Sequence, residues 1–288
     1  MKNARFDVVS RNGRDRLGEG PVWLERRNEL AWVDILAPAV HRLDLISGTI
    51  TSLAVDEPIG WVLPRARAES VVAGFKSGIT FLDLANGACE TFVRPETERP
   101  DNRLNDAKID RAGRIWTGSK DDTDRTASGA LYRLDADRSC TRMDDGYQVT
   151  NGPTFSLDGH TLYHTDSGAR TVFAFDLHDD GVIANKRVWL EFEPAWGYPD
   201  GMTTDAENCL WIAHWGGGAL SRFDSAGRRI ETIALPATNI TSCAFAGDDL
   251  QRLFVTSSTI GCESERLAGA LFEVDPGVRG LAPGAFAG

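Results

Sequence analysis

The sequence predicts an all-β protein: a six-bladed β-propeller with four antiparallel strands per blade and an N-terminal strand closing the last blade. Three observations carry that reading. Short runs of alternating apolar and polar residues, punctuated by Gly, Asp and Asn, fill the 288 residues, as half-buried strands require. No stretch of about 12 residues holds a convincing helical period. An apolar pair followed by a short alternating strand recurs six times, its anchors Leu30, Val71, Ile115, Leu162, Leu210 and Leu253 separated by 41, 44, 47, 48 and 43 residues. Four strands of about five residues plus turns fill such a period, which is the size of a propeller blade.

The elements follow in order. Residues 6–9 read as a strand without a partner in the first repeat, and pairing them with the last blade would remove an open edge. The first repeat runs from 29–34 to 40–45, with 49–53 as an outer strand. The next four run from 71–74 to 78–83, 115–118 to 129–135, 162–166 to 171–176 and 210–213 to 218–224, the last followed by an outer strand at 229–233. The sixth runs from 253–256 to 269–275. Residues 188–195 form the most helix-compatible stretch. A two-sheet sandwich gives no reason for a repeat every forty-odd residues, and no linker divides the chain, so 1–288 is read as one domain.

Composition narrows the function classes. The formal net charge of -11 argues against nucleic acid, whose phosphates need a basic surface. No apolar run approaches the roughly 20 residues of a membrane span, and the N-terminus has no apolar core of a signal peptide. The five cysteines, Cys89, Cys140, Cys209, Cys243 and Cys262, are scattered and form no CxxC pair, so reduced thiols and a cytoplasmic location are expected. Cys209 and Cys243 lie in apolar runs and read as small hydrophobes. A monomer, or at most a weak dimer, is expected because propellers close on themselves.

The repeat also aligns polar residues. Glu19, Asn105, Asn151 and Asp200 stand ten or eleven residues before the anchors of their repeats. The same offset adds Gly60 and Ser242, giving a ring of six positions at one mouth of the channel. Asn and Asp before Gly are ordinary turn residues, but Glu before Gly-Pro is not a favoured one, and four oxygen-bearing side chains at one repeat position call for another reason. Carboxylate and amide oxygens suit hard cations. Two carboxylates meeting in a closed channel repel unless a cation lies between them.

With these residues the chain resembles the senescence-marker-protein/gluconolactonase/luciferin-regenerating-enzyme-like family. The marks are Gly18-Glu19-Gly20-Pro21-Val22-Trp23, Arg103-Leu104-Asn105-Asp106, Asn151-Gly152-Pro153, Pro199-Asp200-Gly201-Met202, Leu210-Trp211-Ile212-Ala213 and the ending Gly284-Ala285-Phe286-Ala287-Gly288, in this order along nearly the whole chain. The resemblance implies a propeller holding one divalent metal ion (calcium, zinc, manganese or iron(II)) on Glu19, Asn151 and Asp200. It implies substrate contacts from Arg103 and Asn105, and hydrolysis of a sugar-acid lactone to the aldonic acid. Gly118-Ser119-Lys120-Asp121-Asp122 stands where relatives often have Gly-Thr-Met, which makes Lys120 and Asp122 candidate substrate contacts of this chain's own.

Asp200 is the expected general base, and Asp106 a weaker one, since its ordinary role is to cap a turn. His164 and His214 read as core histidines, outside the catalytic set. Trp61 and Trp215 are candidate pocket walls, and Asp110 and Arg114 belong to a turn. Two alternatives stay open: a propeller esterase or phosphotriesterase-like hydrolase on a non-sugar substrate, and a calcium-binding protein without turnover.

Overall fold

Alternating apolar and polar residues can hide one face and hydrate the other only when extended. The computed structural model describes residues 6–288 and arranges these runs as six four-stranded antiparallel sheets. The inner strands, one per blade, are Gly18–Leu24, Ile59–Leu63, Asn102–Ile109, Thr150–Phe155, Tyr198–Thr204 and Asn239–Ala246. Each is followed in chain order by the outer strands of its blade, as in Glu29–Asp34, Ala39–Asp44 and Ile50–Ala54 of the first. Burial falls outward. Asn239–Ala246 is buried at every position, whereas Cys89–Val93, an outermost strand, has no buried residue.

Closure follows the sequence expectation. The sixth blade holds Asn239–Ala246, Arg252–Ser258 and Phe272–Val274. Its fourth strand is Phe6–Val8, antiparallel to Phe272–Val274 with Phe6 opposite Val274 and Val8 opposite Phe272. The first and last blades are also tied at the centre, where Thr241 Oγ1 donates to the Gly18 carbonyl at 2.6 Å.

The blades bury large aromatic side chains, among them Trp32, Trp61, Trp116 and Trp211. A buried indole N–H needs an acceptor. Trp116 donates to Asp110 Oδ2 and Trp211 to Asp205 Oδ2, both at 2.9 Å. Each aspartate lies six residues upstream, in the turn that feeds the strand, and each also binds an arginine: Arg114 Nε at 2.6 Å and Arg222 Nε at 2.7 Å. Asp110 and Arg114 thus build a turn, as expected. Cys209 and Cys243 are buried.

Residues 188–195, the most helix-compatible stretch, hold no α-helix: the strand Ile183–Glu191 ends there and one 3-10 turn, Pro194–Trp196, follows. Pairing of that strand with Thr171–Leu177 outweighs the local propensity. One expectation is corrected. Trp61 is not a pocket wall but a core residue, 1% exposed, its Nε1 donating to Thr117 Oγ1 of the next blade at 2.9 Å.

Candidate functional site

All six inner strands lose register near their beginnings. The shifts fall between Glu19 and Val22, Ile59 and Trp61, Leu104 and Ala107, Asn151 and Thr154, Pro199 and Met202, and Ile240 and Ser242. A bulge bends a strand and re-aims its side chains. The last regular pairs before the shifts are Glu19–Val33, Ile59–Phe75, Leu104–Ser119, Asn151–Thr165, Pro199–His214 and Ile240–Ser257. Glu19 and Asn151 are the last paired residues of their strands, and Gly60, Asn105 and Asp200 come immediately after the last pair of theirs. In the sixth blade Ser242 forms the first pair after the shift, opposite Thr256. The six positions counted from sequence therefore all stand at the register shifts.

A hydrogen-bonded chain links two of these positions, Asn105 and Asn151, to Arg103. Asn105 Nδ2 donates to Asn151 Oδ1 at 2.9 Å and to the Thr150 carbonyl at 2.6 Å. Arg103 Nη1 donates to Asn105 Oδ1 at 2.6 Å and Arg103 Nε to Asp122 Oδ1 at 2.9 Å. Lys76 Nζ donates to Asp122 Oδ2 at 3.2 Å. Asp122 therefore reaches the site through Arg103, with both oxygens engaged by cations. Lys120 sits opposite Arg103 in the ladder and pairs with the exposed Asp124 at 2.5 Å.

The acidic side of the site is strained electrostatically. Glu19, Asp106 and Asp200 are buried. Burial, then the charges of Asp200 and Asp106, pushes Glu19 well above the usual carboxylate range. Burial, then Asp106, does the same to Asp200, while Arg103 and Lys120 act on it in the opposite direction. Burial lifts Asp106 to about 6. One oxygen of Asp200, Oδ1, and one of Asp106, Oδ2, are buried without a hydrogen-bond partner. Unpaired buried carboxylate oxygens are costly, and a cation held between them would remove the cost. Among the described residues no three His, Cys, Asp or Glu side chains gather as a metal cage. The donor set on offer is instead two carboxylates, Glu19 and Asp200, with the amide oxygen of Asn151, which fits a hard cation completing its shell with water.

Asp106 is the residue that sequence reasoning undervalued. Its Oδ1 accepts from the Ala107 amide at 2.7 Å, which is the turn-capping role, yet the bulge also buries it beside the other two carboxylates. Its place immediately after Asn105, inside the two-residue step that the bulge inserts, is the signal that was available. His164 and His214 are buried, and burial lowers them to about 3 and about 4, so both are neutral near pH 7. Trp215 is half-buried and packs against the core of the first blades. A cavity of about 610 Å³ opens where the inner strands end, lined by Val22, Lys108, Thr154, Thr203 and Ala285 among others. The acid–amide cluster lies at the other end of the channel.

Comparison with known proteins agrees with this fold. Residues 17–259 match the model of the SMP-30/Gluconolactonase/LRE-like region. Regucalcin of Danio rerio is 37% identical over the full length of both chains. The 6-deoxy-6-sulfogluconolactonase of Pseudomonas putida is 34% identical over 94% of this chain and 95% of its own. Among solved structures, a calcium-binding regucalcin from Agrobacterium tumefaciens superposes with a TM-score of 0.91 at 26% identity, covering 97% of this chain and 96% of that one. A bulged ring of acid and amide side chains on a six-bladed propeller, with a family match over most of the chain, places this protein in the SMP-30/gluconolactonase/LRE-like family.

Proposed function

We propose that the protein is a divalent-metal-dependent lactonase that opens a sugar-acid lactone to its aldonic acid. The observation that carries the reading is the burial of Glu19 and Asp200 together, the charge of Asp200 raising Glu19, with an unpartnered Asp200 Oδ1 and an Asn151 amide tied through Ser167 to the residue before Asp200. Glu19, Asn151 and Asp200 would hold the ion. When bound, such an ion polarises a carbonyl and acidifies water.

The chain's own groups supply the rest. Asp200, which would hold the ion through one carboxylate oxygen, takes the proton of the attacking water through the other as the water oxygen bonds to the lactone carbonyl carbon. Arg103, fixed by Asp122 on one side and Asn105 on the other, donates to the carbonyl oxygen as negative charge develops. The ring C–O bond then breaks, and the departing oxygen takes the proton back from Asp200 as a hydroxyl. Asn105 spends both amino hydrogens inside the protein, so its contribution is to hold Arg103 and Asn151 rather than to donate to the sugar. Lys120, within the electrostatic reach of Asp200, contacts the hydroxyls or a carboxylate of the substrate. The aldonolactone class is supported by the likeness to the Pseudomonas putida sulfogluconolactonase over 95% of that relative.

Metal-stripped protein incubated with aldono-1,4- and 1,5-lactones, with calcium, manganese, zinc or iron(II) added back, tests this. Acid release should return with one or more ions and fall by about 10²–10⁴-fold in Asp200→Ala, the range for loss of a catalytic acid–base group. Metal binding by the wild-type protein without acid release from any lactone would refute the lactonase reading.

A further inference from the structure

The orientation of Asn151 is determined at both ends of its amide. Its Nδ2 donates to Ser167 Oγ at 2.8 Å, and its Oδ1 accepts from Asn105 Nδ2 at 2.9 Å. A serine hydroxyl has one proton. Ser167 gives that proton to the Pro199 carbonyl at 2.5 Å, so it offers Asn151 only acceptor lone pairs. Asn105 is committed in the same way. Its two amino hydrogens go to Thr150 and Asn151, and its oxygen accepts from Arg103. Turning the Asn151 amide over would set nitrogen against nitrogen at Asn105, and oxygen against a hydroxyl with no proton left at Ser167. Arg103, Asn105, Asn151 and Ser167 are all buried, so water cannot repair the mismatch.

We propose that Ser167 is a positioning residue that commits Asn151 to turn its oxygen, not its N–H, toward the acidic ring. The inference rests on the reading of Glu19, Asn151 and Asp200 as a cation site. A cation accepts an amide oxygen and is repelled by an amide N–H, so the orientation of this one side chain decides whether the third ligand exists. Because the Ser167 proton goes to the carbonyl of Pro199, the residue before Asp200, one hydroxyl ties the amide of the fourth blade to the backbone that carries the carboxylate of the fifth. Partners that orient metal ligands are worth about 10–100-fold in affinity in general.

Calorimetric titration of metal-stripped protein with Ca²⁺ and with Mn²⁺ tests the proposal, on the wild type, Ser167→Ala and Ser167→Thr, each also made in an Asn151→Asp background. Ser167→Ala should weaken ion binding by about 10–100-fold, and Ser167→Thr, which keeps the hydroxyl, should recover most of it. A carboxylate has an oxygen at both ends and needs no orienting. In the Asn151→Asp background Ser167→Ala should therefore cost less than about threefold, a non-additivity expected only of residues that act through one another. Urea unfolding of the metal-free proteins confirms that each variant is folded. An equal loss in both backgrounds, or no loss in either, would overturn the positioning role while leaving the cation site standing. Absence of binding by the wild-type protein would overturn the cation site itself and this inference with it.

Discussion

Glu19, Asp106 and Asp200 store repulsion that the metal-free protein must carry, and the sign of its effect on stability can be worked out. All three are held above their ordinary range in the folded chain. A carboxyl whose folded value exceeds its unfolded one binds more protons folded than unfolded in between, so stability falls as pH rises through that window. For Asp106, raised to about 6, the window runs from about 4 to 6 and the loss is about 3 kcal/mol at 1.36 kcal/mol per unit. Asp44 and Asp137 are lowered by hydrogen bonds from nearby serines and backbone amides, and their stabilisation is complete above pH 4. The buried His164 and His214, lowered to about 3 and about 4, act in the opposite sense: the unfolded chain binds more protons between those values and about 6.5, so they add stability as pH rises there. The carboxyl contribution is therefore read as a difference. The gain in melting temperature of chelator-treated protein on Asp106→Asn should grow between pH 4.5 and 7, as should the gain on adding calcium. Gains that do not change with pH would show that the carboxylates do not confront one another. Glu19, Asn151 and Asp200 were legible in the sequence because a Glu before Gly-Pro, and four oxygen donors at one repeat position, exceed what turns explain. Asp106 was not, because an aspartate beside an asparagine is the ordinary residue of a turn. The commitment of Asp122 to Arg103, 19 residues apart, depends on the register of two neighbouring strands, which residue types alone do not reveal.

The bulged inner strand is the element that turns a repeat into a site. In every blade but the second, where Gly60 has no side chain, the register shift falls beside a polar side chain, and small residues let neighbouring inner strands come close. Gly201, directly after Asp200, shows how close: a Cβ there would lie 2.2 Å from Ser242 Oγ and 2.9 Å from Ser242 Cα in the adjoining strand. Backbone cannot yield that distance without moving one strand. Gly201→Ala should cost about 1–3 kcal/mol by overpacking, and the strain should appear at Asp200 as weaker calcium binding. Urea unfolding and calorimetry on the same preparation measure both. Stability and affinity within error of the wild type would mean that the two strands are not held at this spacing. Strand existence and the six-fold repeat were readable because alternation and period are local properties. The register shifts were not, since they arise from how far each hairpin extends before the ladder resumes. The strand Ile183–Glu191 was hidden for a related reason, as an outermost strand has little burial pattern to display.

Successive blades of a propeller are joined by the chain, but the first and the last are not, so the whole molecule depends on non-covalent closure. Besides the central bond from Thr241 to the Gly18 carbonyl, two devices supply it. One is the pairing of Phe6–Val8 with Phe272–Val274, which the unpartnered N-terminal strand predicted. The other is the C-terminal segment. It leaves the sixth blade, where Gly280 N donates to the Leu250 carbonyl at 2.8 Å and Ala206 N to the Arg279 carbonyl at 3.0 Å. It then crosses the mouth remote from the carboxylates and docks beneath the second and third blades. There Phe286 N donates to Pro64 O at 2.9 Å, Ala66 N to Phe286 O at 2.8 Å, and Ala287 N to Gly113 O at 3.1 Å. Phe286 is fully buried in the cluster formed by the first three blades. The ending 284–288 was legible as a family mark but not as a strap, because no local pattern states which distant carbonyls a terminal segment will reach. Truncating Phe286 to alanine removes a buried aromatic ring, a loss of about 3–5 kcal/mol, and frees a segment that bridges opposite sides of the ring. Phe286→Ala should therefore lower the urea midpoint markedly. Under folding conditions its calcium affinity should stay within about twofold of the wild type, because sites this far apart with no shared partners behave independently. If affinity falls along with stability, the strap sets the diameter of the channel and thereby the spacing of Glu19, Asn151 and Asp200. If neither changes, closure rests on the ties between the first and last blades, the Phe6–Val8 strand and the Thr241–Gly18 bond among them.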